Sequence, residues 1–162
     1  MINKKLLLGV GNDILTDDGI GPRLIKNIKD TGIFKKVDGI EFETLCVGGL
    51  EILEYIKDFE TVIIIDAIRT RGGIPGTIYL LTPDDFKETL HLSSFHDVSF
   101  LTAIELGHKL GYYMPSKIKI IAIEIIEDLV FSEEFTPELK EKYPEILAEV
   151  KEIIQKEIVD QS

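Results

Sequence analysis

Cysteine is almost absent from this 162-residue chain, where Cys46 stands alone. One thiol excludes an intrachain disulfide and any cysteine-rich zinc or iron–sulfur centre, so a bound metal would have to rely on oxygen and nitrogen donors. Basic side chains are also scarce, 18 Lys plus Arg against 29 Asp plus Glu, for a formal net charge of −11. A chain this acidic lacks the clustered cations that neutralise phosphates, which argues against a nucleic-acid partner and against anionic membranes. No apolar run approaches the roughly 20 residues of a membrane-spanning helix. The stretch Leu6 to Gly11 is interrupted by Asn12 and Asp13, is too short for a signal-peptide core and has no small-residue cleavage site behind it. These absences lead to the expectation of a soluble, cytoplasmic protein. Internal repeats, low-complexity tracts and interdomain linkers are missing as well, and residues 1–162 read as one domain.

What is present is an alternation of short β-rich runs with helical patterns. Lys5 to Val10, Ile40 to Cys46, Thr61 to Ile65, Thr77 to Leu81 and Lys117 to Ile123 read as strands; Ile20 to Asp30, Leu50 to Lys57, Asp97 to Leu110 and Pro137 to Ile158 read as helices. Leu6-Leu7-Leu8 and Val62-Ile63-Ile64-Ile65 are solid hydrophobe without in–out alternation, the pattern of strands buried on both faces. Thr136 is the expected N-cap of the last helix with Pro137 at its first position, and Pro144 predicts a break or kink near Tyr143. No helix separates the third strand from Thr77 to Leu81, which is therefore expected to pair antiparallel at an edge. The expectation is an α/β three-layer α/β/α sandwich around a mixed, mostly parallel, five-stranded twisted sheet.

Three places in this pattern carry candidate chemistry. The first is Gly9-Val10-Gly11-Asn12-Asp13-Ile14-Leu15-Thr16-Asp17-Asp18-Gly19-Ile20-Gly21-Pro22, a glycine- and acid-rich turn leaving a buried strand and entering a helix. It fails as a dinucleotide fingerprint, because Ile14 falls where the third glycine belongs, and as a P-loop or a calcium loop on spacing. Either Asp17 or Asp18 is expected to cap the following helix, while their adjacency points the other elsewhere. The second is Asp66, directly behind a solid hydrophobic strand, where ligands bind in open α/β sheets; its structural alternative is a turn aspartate or an ion pair with Arg69 or Arg71. The third is His96, in Ser93-Ser94-Phe95-His96-Asp97, at a helix entrance; His91 and His108 have ordinary loop and helix-end placements. Two carboxylates and an imidazole suit a divalent ion, with Zn, Ni, Mn and Fe all open, and suit an acid–base set equally. No Gly-x-Ser-x-Gly elbow accompanies Ser93 and Ser94, so a serine hydrolase is not indicated.

Taken together, Gly9-Val10-Gly11-Asn12 with Asp17-Asp18-Gly19-Ile20-Gly21-Pro22, Asp66-Ala67 with Pro75-Gly76-Thr77, and Ser94-Phe95-His96 with Leu101 resemble the motif blocks of the hydrogenase maturation proteases. Glu124 matches a less specific segment, and Gly48-Gly49 resembles a glycine segment lining the same cleft. The resemblance spans nearly the whole chain. It implies an endopeptidase, filed with the aspartic type, that removes the C-terminal extension from a nickel-loaded large-subunit precursor of nickel–iron hydrogenase. It further implies that Asp18, Asp66 and His96 are both the catalytic and the metal-contacting set. The metal is then nickel supplied by the substrate, with Zn or Cd able to substitute in a crystal. Two alternatives stand beside this reading: a germination-protease-like endopeptidase without nickel dependence, and a metal-sensing or carrier module without hydrolysis. The client hydrogenase, the bond cut and the oligomeric state are left open.

Overall fold

The computed structural model describes residues 3–46, 49–88 and 95–159, with side chains in those ranges other than 86–88, 95–99 and 159. Five strands, β1 (Lys5–Val10), β2 (Ile40–Leu45), β3 (Thr61–Ile68), β4 (Ile78–Leu81) and β5 (Lys117–Glu124), form one sheet in the order β2-β1-β3-β5-β4. β1, β2, β3 and β5 run parallel, and β4 pairs antiparallel with β5 at an edge, as its connection to β3 predicts. The helices are α1 (Ile20–Thr31), α2 (Ile52–Ile56), α3 (Pro83–Glu88), α4 (Phe95–Lys109) and α5 (Pro137–Val159).

Side chains alternate across the sheet into two separate cores. Leu7, Ile63, Ile65, Ile121 and Ile123 face α1 and α5, where Leu24, Ile28, Val150 and Ile154 meet them. Leu6, Leu8, Val62, Ile64 and Ile120 face α2 and α4, meeting Ile56, Phe100 and Ala103. Both strand faces are thus covered, which is why the hydrophobic runs show no polar alternation. The three-layer α/β/α architecture follows.

Glycine sets how closely α1 approaches the sheet. A Cβ on Gly21 would overlap the carbonyl oxygens of Ile65 and Val10, and one on Gly9 would overlap the Gly21 carbonyl. The start of α1 is therefore pressed onto the carboxyl ends of β1 and β3. Gly11 has φ 140°, a backbone that glycine alone adopts readily, and it passes directly under the Asp18 carbonyl.

One local expectation is corrected. Residues 137–159 form one helix through Pro144 without a break. Pro144 lies on the exposed side, where the carbonyl it leaves without an amide can turn to water. Thr136 is the N-cap of α5, as expected: it precedes Pro137, its carbonyl accepts from Lys140 N (2.9 Å), and its hydroxyl is donated to Asp17 (2.9 Å). The short helix α3 has no counterpart in the expected elements; its six residues hold too little apolar periodicity to announce it.

Candidate functional site

The order β2-β1-β3 makes the chain reverse direction between β1 and β3, with α1 on one face and α2 on the other. Ligands bind outside the carboxyl ends of the strands at such a switch point. One candidate carboxylate follows β1 and the other lies on β3. Asp18 lies in the 3-10 turn Thr16–Gly19, which follows β1 and packs against β3, and Asp66 lies near the carboxyl end of β3 itself.

The two adjacent aspartates of the turn divide their labour. Asp17 is fully buried: it accepts Thr136 N (2.8 Å), Thr136 Oγ1 (2.9 Å), Ile126 N (3.2 Å) and Glu127 N (3.2 Å). One carboxylate thereby fastens the β5–α5 connection and the head of α5. Asp18 is half-buried and accepts Asn12 N (2.7 Å), closing the loop between β1 and the turn. Neither caps α1, whose N-cap is Gly19 without a side-chain bond, so that expectation is corrected. The close approach of Gly21 to the sheet leaves the entrance of α1 to be closed by the 3-10 turn.

Asp66 is half-buried, and its Oδ1 accepts Ala67 N (2.8 Å). β3 runs on to Ile68, so Asp66 stands inside the strand, not behind it. Arg69 is engaged with Asp128 (2.6 Å).

His96 is the second residue of α4, which begins two residues before the expected Asp97. α4 packs against the 3-10 turn Gly49–Glu51 that follows β2, and it ends at the opposite edge, where the chain turns into β5. Its 15 residues span about 22 Å, so its first turn sits at the carboxyl edge of the sheet. The backbone thus brings Asp18, Asp66 and His96 to one edge. The His96 side chain lies outside the described residues, as do Gly48, His91, Ser93 and Ser94; Gly49 opens the turn after β2 with φ 92°. His108 is exposed near the end of α4, in keeping with a surface role. Among the described residues no group of three His, Cys, Asp or Glu side chains could hold a metal ion.

Sequence reasoning gave Glu124 too little weight. It is 1% exposed at the end of β5 and accepts Thr70 N (2.7 Å), Thr70 Oγ1 (2.7 Å) and Tyr79 Oη (3.2 Å). The Gly73 backbone lies directly on its carboxylate, and Gly76 N donates to its carbonyl (2.8 Å). Glu124 therefore anchors the loop that leaves β3 after Asp66. The signal for it was the one that singled out Asp66, a carboxylate following a solid hydrophobic run, here Ile120 to Ile123.

The segment after β5 completes the rim. Leu129 N and Val130 N donate to Glu127 Oε1 (2.7 and 3.2 Å), and these amides, the Leu129 one foremost, hold the Glu127 carboxyl below its ordinary pKa against its partial desolvation. On the other side of the turn, a hydrogen bond from Lys26 (3.0 Å) lowers the Asp13 carboxyl in the same way.

A family model described as hydrogenase maturation protease matches residues 22–154. The chain is 29% identical over 133 residues to the hydrogenase expression/formation protein HupD of Rhodobacter capsulatus, covering 75% of this chain and 57% of that protein. It is 34% identical over 80 residues to the hydrogenase 2 maturation protease of Escherichia coli, covering 49% and 48%. The chain thus spans about half the length of these curated relatives. Among solved structures, the hydrogenase maturating endopeptidase HybD of E. coli superposes with a TM-score of 0.74 at 23% identity, covering 95% of this chain and 93% of that one. The maturation protease HycI of Thermococcus kodakarensis KOD1 superposes with a TM-score of 0.68 at 20% identity, covering 94% and 93%. At these identities the superpositions speak for the fold.

Proposed function

The chain belongs to the hydrogenase maturation protease family, and on that premise we propose that it is an endopeptidase removing the C-terminal extension of a nickel-loaded large-subunit precursor of nickel–iron hydrogenase. The observation that carries this reading is the pair Asp18, on the 3-10 turn that follows β1, and Asp66, on β3, at the switch point, with the first turn of α4, and so the His96 backbone, on the same edge.

In this reading Asp18, Asp66 and His96 contact the nickel that the precursor brings. Two carboxylates and an imidazole are an incomplete ligand set, which binds a fully hydrated ion only weakly. A nickel still short of ligands in the precursor gains affinity from them, so that docking, and with it cleavage, depends on metal loading. In a crystal, Zn or Cd would occupy the same donors in its place. Asp17 does not take part, since all its described bonds are structural. The reaction differs from that of a pepsin-like dyad, in which two carboxylates share one proton. Here the carboxylates come from separate elements and the imidazole from a third, so attack by water can be assisted by a carboxylate base or by the metal. The single cysteine and the acidic composition fit action in the cytoplasm; no helix among the described residues is long and apolar enough to cross a membrane.

The test is incubation of the full chain with such a precursor, with and without nickel, followed by intact-mass measurement. Loss of the extension only with nickel is the expected result. His96→Ala and Asp66→Asn should each abolish processing with the melting temperature nearly unchanged, whereas His91→Ala should be silent. Cleavage irrespective of nickel would instead favour the germination-protease-like alternative, and metal binding without cleavage a sensing or carrier module.

A further inference from the structure

Exposed large hydrophobic side chains are not spread evenly over the described residues. Of twelve, seven lie on segments at the carboxyl edge of the sheet: Ile14, Leu50, Ile74 and four within Ile126 to Phe131. Leu129 and Phe131 are the extreme cases, 78% and 77% exposed. A loose loop would fold such side chains against the protein, but this one is pinned outward. Its amides are held by Glu127, the Val130 carbonyl accepts Thr16 Oγ1 (2.5 Å), and Ser132 N donates to the Ile14 carbonyl (3.0 Å). Arg69, leaving β3, grips Asp128 (2.6 Å). The loop is thus fastened both to the turn carrying Asp18 and to the strand carrying Asp66. Apolar surface displayed at a fixed distance from a functional crevice marks an interaction site.

We infer that the Ile126–Phe131 loop is the docking element by which the chain grips the folded precursor, inserting Leu129 and Phe131 into an apolar hollow rimmed by Lys and Arg. The inference rests on the proposal that the chain acts on that precursor. The basic rim is argued from charge: residues 126–134 contain four carboxylates and no basic residue, in a chain of net charge −11. The occupant is argued from continuity, since the loop shares its hydrogen bonds with the turn that carries Asp18.

The experiment measures equilibrium binding of the nickel-loaded precursor to the full chain by biolayer interferometry, together with KM and kcat for processing. The variants are L129S/F131S and, at the opposite edge, L110S, where Leu110 is 54% exposed. The expected result is a loss of affinity of about tenfold or more for the double variant, as for apolar anchors at an interface. KM should rise, kcat should be retained at saturation, the melting temperature should not move, and L110S should behave as the wild type. Wild-type affinity in the double variant would overturn the inference and leave the processing proposal standing. Wild-type binding without cleavage, lost in the double variant, would support the docking element while removing the processing proposal. A wild-type dimer in sedimentation that the double variant loses, with precursor binding kept, would assign the loop to contacts between copies and overturn it.

Discussion

Asp17 and Asp18 are chemically identical neighbours, and the structure separates them by burial. Asp17 is fully buried and satisfies four donors on residues more than a hundred positions away; Asp18 is half-buried and accepts the Asn12 amide. Removing a buried acceptor strands its donors, at about 1–3 kcal/mol for each group left unbonded. Asp17→Ala is therefore expected to lower stability by about 3 kcal/mol or more, a drop of about 10 °C in melting temperature for a domain of this size. Asp18→Asn keeps an oxygen for the Asn12 amide, so its stability should stay within about 0.5 kcal/mol of the wild type while processing is lost. Thermal melts alongside the processing assay check both. A stable Asp17→Ala protein, or an Asp18→Asn protein that still cleaves, would reverse the assignment.

At the scale of elements, legibility follows the range of the forces involved. The five strands and four of the helices were readable because each is announced by its own residues: solid hydrophobe for strands covered on both faces, periodic apolar positions for helices. The edge position of β4 was readable from a connection too short for a crossover helix. What escaped the sequence depends on partners distant in the chain. The partners of Asp17 are beyond β5, the hydroxyl of the N-cap Thr136 joins that same cluster, and Pro144 sits on the exposed side of an unbroken α5. Glu124 belongs to this class, because its value lies in the loop after β3. Glu124→Ala would leave Thr70 N, Thr70 Oγ1 and Tyr79 Oη without their acceptor, and a destabilisation of about 2–4 kcal/mol is expected. The effect should be concentrated in one element. Hydrogen exchange at Thr70 and Gly73 should accelerate more than in the β1 core, and equal acceleration throughout would mean that Glu124 stabilises the sheet and not the loop.

For the whole molecule, the question is how a chain of net charge −11 responds to pH. Acid neutralises carboxylates and relieves their general repulsion, which favours folding, but at physiological salt that repulsion is screened beyond about 8 Å. The specific partners act the other way. Asp13, Glu60, Asp85, Glu127 and Glu134 are all held below the ordinary carboxylate range, by Lys26, by Ser116 and Tyr113, by Thr82, by the Leu129 amide and by Lys140 respectively. A folded-state pKa below the unfolded one means that the unfolded chain binds protons first. The stability they contribute is therefore present above about pH 4 and is lost as the pH falls through the folded values. Tyr113 has the opposite sign. Its hydroxyl is donated to Glu60, which raises its pKa, so its contribution is present below about pH 10 and is lost as the pH rises through the folded value. Glu60 thus lies on both limbs, and it staples the starts of β3 and β5 through Ser116 and Lys117, whose amides donate to its carbonyl (3.0 and 3.2 Å). Melting temperatures recorded from pH 3 to 11 should form a plateau that falls at both ends. Glu60→Gln should flatten both falls while leaving the backbone staple in place; a profile unchanged by that substitution would mean that other groups govern the pH response.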